Sequence, residues 1–112
     1  MRAVWRRNVR RFEVHFSPSA RQDLRETYLW VAEHSSEETA LRFVTRTETV
    51  WAGLAHFPKR GTRRDDLLPG MRVFGLDRRV TVAFRIDGNR VTILRVLYGG
   101  RDLGQALDND GR

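Results

Sequence analysis

Two helix starts lie so close together in this chain that the segment between them must fold back on itself. Ser17 is placed to act as an N-cap, with Pro18 at the first helical position, where a missing N–H costs nothing. Ala20, Leu24, Tyr28 and Val31 follow at helical spacing and predict a helix to about His34. Ser35 and Glu38 then read as a capping box, each side chain satisfying a backbone donor that the other's end of the turn leaves orphaned. Behind them Ala40, Phe43, Val44, Thr47, Val50, Trp51 and Leu54 form the inner stripe of a second helix, which Pro58 and Gly61 end. Helices joined by so short a link return antiparallel, and their apolar stripes need a second layer to cover them.

Strands supply that layer. Phe12, Val14 and Phe16 alternate with Glu13 and His15, the period of a half-buried strand. After the polar loop from Lys59 to Asp66 and the turn signal Pro69-Gly70, strands are expected from Arg72 to Leu76, Arg79 to Ile86 and Val91 to Tyr98. The last is apolar on both faces, as a central strand is. Asp87-Gly88-Asn89 joins the final two as a hairpin turn, Gly99-Gly100 ends the sheet, and residues 103–108 suit a short helix. The predicted order is strand, helix, helix, strand, strand, strand. This is an α+β domain, a helical hairpin packed on a mostly antiparallel four-stranded sheet, spanning residues 12–103. Residues 1–11 read as a basic N-terminal arm and 104–112 as a C-terminal tail.

Composition narrows the function classes. With 40% apolar and 31% charged residues the chain is of the soluble globular kind. No cysteine is present, so a disulfide framework or thiolate metal site is excluded. No stretch approaches a membrane span or a signal-peptide core, and the cytoplasm is the expected compartment. The net charge of +7 suggests nucleic acid, but Arg2, Arg6, Arg7, Arg10 and Arg11 contribute most of it before any acid occurs. Contact with nucleic acid is therefore expected to be indirect at most. His15, His34 and His56 lack metal-ligand spacing, and no Gly-rich phosphate loop precedes a helix. Neither metal nor cofactor is expected.

Three segments add a resemblance: V-H-F-S-P-S-A-R-Q-D-L at 14–24, W-V-A-E-H-S-S-E-E-T-A-L-R-F at 30–43, and V-T-I-L-R-V-L-Y-G-G-R-D-L at 91–103 preceded by F-P-K-R-G-T-R-R-D-D-L at 57–67. Together with the element order they resemble the RelE/ParE toxin superfamily, and within it the ParE-like branch. The resemblance implies a toxin of a type II toxin–antitoxin system, neutralised by a small ParD-like antitoxin. It also implies DNA gyrase as target in the ParE branch and ribosome-bound mRNA in the RelE branch. Fold does not choose between these, so the site must.

For the nuclease reading, RNA cleavage needs a general base, a general acid and cations converging on one phosphate. Tyr98 with Arg79, Arg95 and Arg101 is the available set. Arg79 and Arg85 project to the face opposite Val80, Val82 and Phe84, and a three-residue Asp87-Gly88-Asn89 loop would pair Thr81 with Arg95 and gather three guanidinium groups. A two-residue loop would put Arg95 on the other face. Arginine is always charged near neutral pH and is a poor base, so such a cluster binds anions rather than moving protons. For a binding reading, Leu29 and Trp30 fall off the inner stripe of the first helix and are candidates for an antitoxin contact. A second surface of Arg72, Arg79, Arg95 and Arg101 with the segment from Leu103 is the candidate target contact.

Overall fold

The computed structural model describes residues 11–99 and 103–108. The basic arm at 1–10, Arg101 and the last four residues lie outside them. Strand β1 (Glu13–Phe16) leads into α1 (Pro18–His34) and α2 (Glu37–His56), followed by β2 (Thr62–Arg63), β3 (Met71–Leu76), β4 (Val80–Asp87), β5 (Arg90–Tyr98) and α3 (Leu103–Asp108). The sheet has five strands in the order β1-β5-β4-β3-β2. β1 runs parallel to β5, and every other pair is antiparallel.

Both helix starts are capped by serine. The Ser17 hydroxyl accepts the Ala20 N–H at 3.0 Å, with Pro18 behind it. The second cap is Ser36, one residue later than the sequence pattern suggests, and its hydroxyl accepts the Thr39 N–H at 3.0 Å. Ser35 instead closes α1, donating its N–H to the Val31 carbonyl. Helix α1 thus keeps its last turn, and Glu38 pairs with Arg42 one turn on, at 3.5 Å, rather than reaching back to a cap.

The fifth strand, β2, lies where a loop was expected. Gly61 has φ +78°, and a Cβ there would collide with the Val73 carbonyl oxygen. The absence of a side chain lets the chain approach β3 closely enough to pair Thr62 with Val73.

The sheet separates two apolar clusters. Under the helical hairpin lie Phe84, Ile93, Val82, Val96 and Leu54, with no measurable exposure, and Ala20. Each large side chain buried in this way contributes roughly 1.5–3 kcal/mol. Phe16 meets Trp51 edge-on at 5.2 Å and ties β1 to α2. A smaller cluster of Met71, Ala83 and Leu107 has Leu94 and Leu103 packed against it, and α3 supplies its cover.

The β4–β5 hairpin decides where its arginines go. Asp87 pairs with Arg90, so the turn is the two-residue Gly88-Asn89, with Gly88 at φ +63° in the first central position. A bulge follows: Phe84 faces Ile93 while Ala83 faces Arg95, leaving Leu94 as the extra residue. The expected pairing of Thr81 with Arg95 does not form. Among the described residues no helix is long and apolar enough to cross a membrane.

Candidate functional site

The parallel partner β1 ends at Phe16, opposite Ile93, so the rest of β5 has no strand on that side. The start of α1 takes its place. Ser17 donates its N–H to the Ile93 carbonyl and its hydroxyl to the Leu94 carbonyl. Further along α1, Asp23 accepts the Val96 N–H at 2.8 Å. The same carboxylate takes Arg95 in a two-point fork, Nε and NH2 each at 2.8 Å, and Arg95 NH1 donates to the Ala106 carbonyl of α3 at 2.9 Å. Arg95 is 8% exposed and Asp23 2%. Arg95 is therefore a clamp joining α1, β5 and α3, and not a member of an exposed arginine cluster. A bidentate pair with its remaining donors satisfied is the form in which buried charges are tolerated.

Asp23 was missed because apolar periodicity passes over a carboxylate. Its signal was position: it stands one turn after Ala20 and one before Thr27, and all three are buried on one face of α1. An arginine inside an apolar central strand needs such a partner.

At the far end of β5 the geometry is different. Leu29 is 58% exposed and Trp30 45%. The Trp30 ring stacks on His34 at 4.0 Å, nearly parallel, and leans on Tyr98 at 5.2 Å. His34 Nδ1 donates to the Trp30 carbonyl at 2.9 Å, which holds the stack along the helix. Beyond it, the Tyr98 hydroxyl accepts Arg79 NH1 at 3.4 Å. Trp30 and Arg79, assigned by sequence to two separate surfaces, are thus linked through Tyr98 in one patch.

Beside that patch runs a groove of about 1150 Å³ between α2 and the β3–β4 turn, lined among others by Leu41, Phe43, Val50, Arg42, Arg79 and Tyr98. Its lip is the turn itself. Asp77 has φ +56° and Arg78 φ +67°, two consecutive left-handed residues without a glycine. Such residues cost about 1–3 kcal/mol each and persist only when their surroundings impose them. Here Arg46 of α2 reaches across the groove to Asp77 at 2.6 Å.

The remaining candidates are dispersed. Arg72 faces Phe84 across the sheet and donates to the Arg60 carbonyl at 3.3 Å, which places it about 17 Å along the strands from Arg79. Leu103 packs into the smaller apolar cluster. Between Arg63 and Gly70, acids and bases pair locally. Asp65 is held below the usual carboxylate range by the Gly70 N–H and then by Arg63, and Asp66 by Arg64. Among the described residues no group of three or more His, Asp or Glu side chains is placed to hold a metal ion.

Residues 14–103 match the model of the ParE toxin of the type II toxin–antitoxin system parDE. The chain is similar to Toxin ParE3 of Caulobacter vibrioides, 35% identical over 85 residues, which is 76% of this chain and 84% of that protein. Its fold is similar to a chain in the solved structure of the chromosomal ParDE toxin–antitoxin system of P. aeruginosa. The TM-score is 0.68 at 24% identity, covering 80% of this chain and 98% of that one. With the matched segment running from the first strand to the start of the last helix, this chain belongs to the ParE family of type II toxin–antitoxin system toxins.

Proposed function

We propose that this ParE-family toxin acts by occupancy: it binds DNA gyrase, and a small ParD-like antitoxin encoded beside it neutralises it by docking on Leu29 and Trp30. The observation that carries the binding reading over a nuclease is the burial of Arg95. With its guanidinium locked to Asp23, Arg95 is withdrawn from the set that would serve a scissile phosphate beside Tyr98. Tyr98 and Arg79 remain together, but with Arg95 withdrawn they do not form a set of base, acid and phosphate-binding cations converging on one point. Their chemistry suits recognition, since Trp, Tyr and Arg are the residues on which interface energies concentrate.

For the antitoxin, the exposed Leu29 and Trp30 on the outer side of α1 offer an apolar anchor that an amphipathic helix can cover. For the target we retain Arg79 from the sequence-based set, since Arg95 is buried, Leu103 packs into the smaller apolar cluster and Arg72 stands apart from the Tyr98 patch.

The test is direct. Purified toxin is assayed for inhibition of gyrase supercoiling in parallel with mRNA cleavage during translation. Inhibited supercoiling with accumulated cleaved DNA and intact mRNA is expected. Codon-specific mRNA cuts with unaffected gyrase would overturn the reading and make Tyr98 the first residue to mutate.

A further inference from the structure

The β3–β4 turn combines features that neither the core nor the groove explains. Asp77 and Arg78 both hold positive φ in the three-residue turn Asp77-Arg78-Arg79 between the paired Leu76 and Val80, a backbone that Gly and Asn enter most easily. Asp tolerates that region through its short side chain, but arginine has no such excuse. An arginine-rich composition accounts for arginine in place of lysine; it does not account for arginine in place of glycine at φ +67°. Arg78 is exposed and makes no ion pair or hydrogen bond among the described residues, so no such contact there rewards its side chain. The turn is nevertheless held: Leu76 and Val80 pair at its base, the Arg79 carbonyl accepts the Gly99 N–H at 2.7 Å, and Arg46 adds a surface ion pair to Asp77. A strained backbone held from both sides, with a free guanidinium at its tip, is a preorganised contact.

We propose that Arg78, presented by this turn beside Arg79, contacts carboxylates on an acidic face of the protein target, and that the strain at residues 77 and 78 is retained to present it. The proposal rests on the gyrase-binding reading above. The neighbourhood favours a protein over a nucleic acid. The groove carries both signs, with Arg46 on Asp77 and Arg42 on Glu38 beside Arg60 and Arg79, whereas a phosphate-tracking surface is of one sign. Tyr98 and Trp30 next to Arg79 complete an aromatic and arginine grouping typical of protein interfaces. A turn fixed in advance also suits a folded target, whose carboxylates stand at set positions and whose binding then costs less ordering.

Substitutions at this one position separate backbone from charge. Arg78→Gly and Arg78→Asn remove the charge and relax the turn; Arg78→Ala removes the charge and keeps the strain; Arg78→Lys keeps both. Each is measured for thermal unfolding, antitoxin affinity and inhibition of supercoiling. The glycine and asparagine variants should melt about 4 °C higher than wild type. Inhibition should fall about tenfold in the glycine, asparagine and alanine variants and no more than about threefold in the lysine variant, with antitoxin affinity unchanged. Full potency in the glycine variant would show that the side chain touches nothing. A parallel loss of antitoxin affinity would assign the contact to the antitoxin and overturn the target assignment. Arg78-dependent binding of wild type to a short DNA duplex would replace carboxylate with phosphate. Wild-type protein inert toward gyrase would overturn the parent reading as well, whereas an active wild type indifferent to position 78 overturns this proposal alone.

Discussion

The two ends of the segment from Arg95 to Tyr98 put arginine to opposite uses. At one end Arg95 is closed inside the protein, its fork on Asp23 and its third nitrogen on the Ala106 carbonyl. At the other, Arg79 lies in the open against the Tyr98 hydroxyl, with Trp30 and His34 stacked behind it. The side chains are chemically identical. What separates them is the bulge at Leu94 and the early end of β1, which bring Arg95 against α1 and leave Arg79 at the sheet's rim. A buried arginine organises the fold because removing its partner strands a charge, whereas an exposed one can be spared by the fold and kept for a partner.

The comparison is broken most directly at the buried end. Asp23→Ala is expected to lower unfolding stability by about 3–5 kcal/mol in a denaturant titration, since it leaves Arg95 desolvated and the Val96 N–H without an acceptor. A loss below about 1 kcal/mol would mean the clamp carries no structural weight. At the exposed end the balance should reverse. Trp30→Ala is expected to weaken antitoxin binding by about 2 kcal/mol or more in calorimetry while changing stability far less. An affinity within about 0.5 kcal/mol of wild type would remove Trp30 as the anchor.

Arg79→Glu sharpens the contrast with Arg95. Its stability should stay within about 0.5 kcal/mol of wild type, while inhibition of supercoiling falls about tenfold. Retained potency would take Arg79 out of the target contact. The smallest effect is expected for Arg46→Ala, because both partners of its pair with Asp77 are well exposed. A stability change of about 0–1 kcal/mol is anticipated, shrinking further in high salt. A larger, salt-insensitive loss would show that the groove lip is part of the core.

Much of the fold was legible before any coordinates. Pro18 and the serine caps marked the helical hairpin, and the stripe from Ala40 to Leu54 named the face it buries. Alternation in β1 and β4 named the sheet's inner residues. These signals are local, since a cap or a periodic stripe is written within one or two turns of chain. β2 was not legible, because a two-residue strand has no period and depends on how closely Gly61 lets the chain approach β3. The second helix start was placed one residue early because Ser35 and Ser36 are chemically alike, and only the path of the preceding helix chooses which one caps.

The candidate site divides in the same way. Leu29 and Trp30 could be singled out from α1 alone, because facing away from the stripe is a property of helical spacing. The fate of Arg95 could not, since it turns on a hairpin register and a bulge that place residues far apart in sequence against one another. The sequence by itself determined the helical hairpin and the longer strands in their order, because propensity, capping and periodicity act over a few residues, and its motifs carried the family resemblance. Only the tertiary structure decided which arginines are free to meet a partner, because burial and pairing are set by contacts such as that between Asp23 and Arg95 that no local pattern encodes.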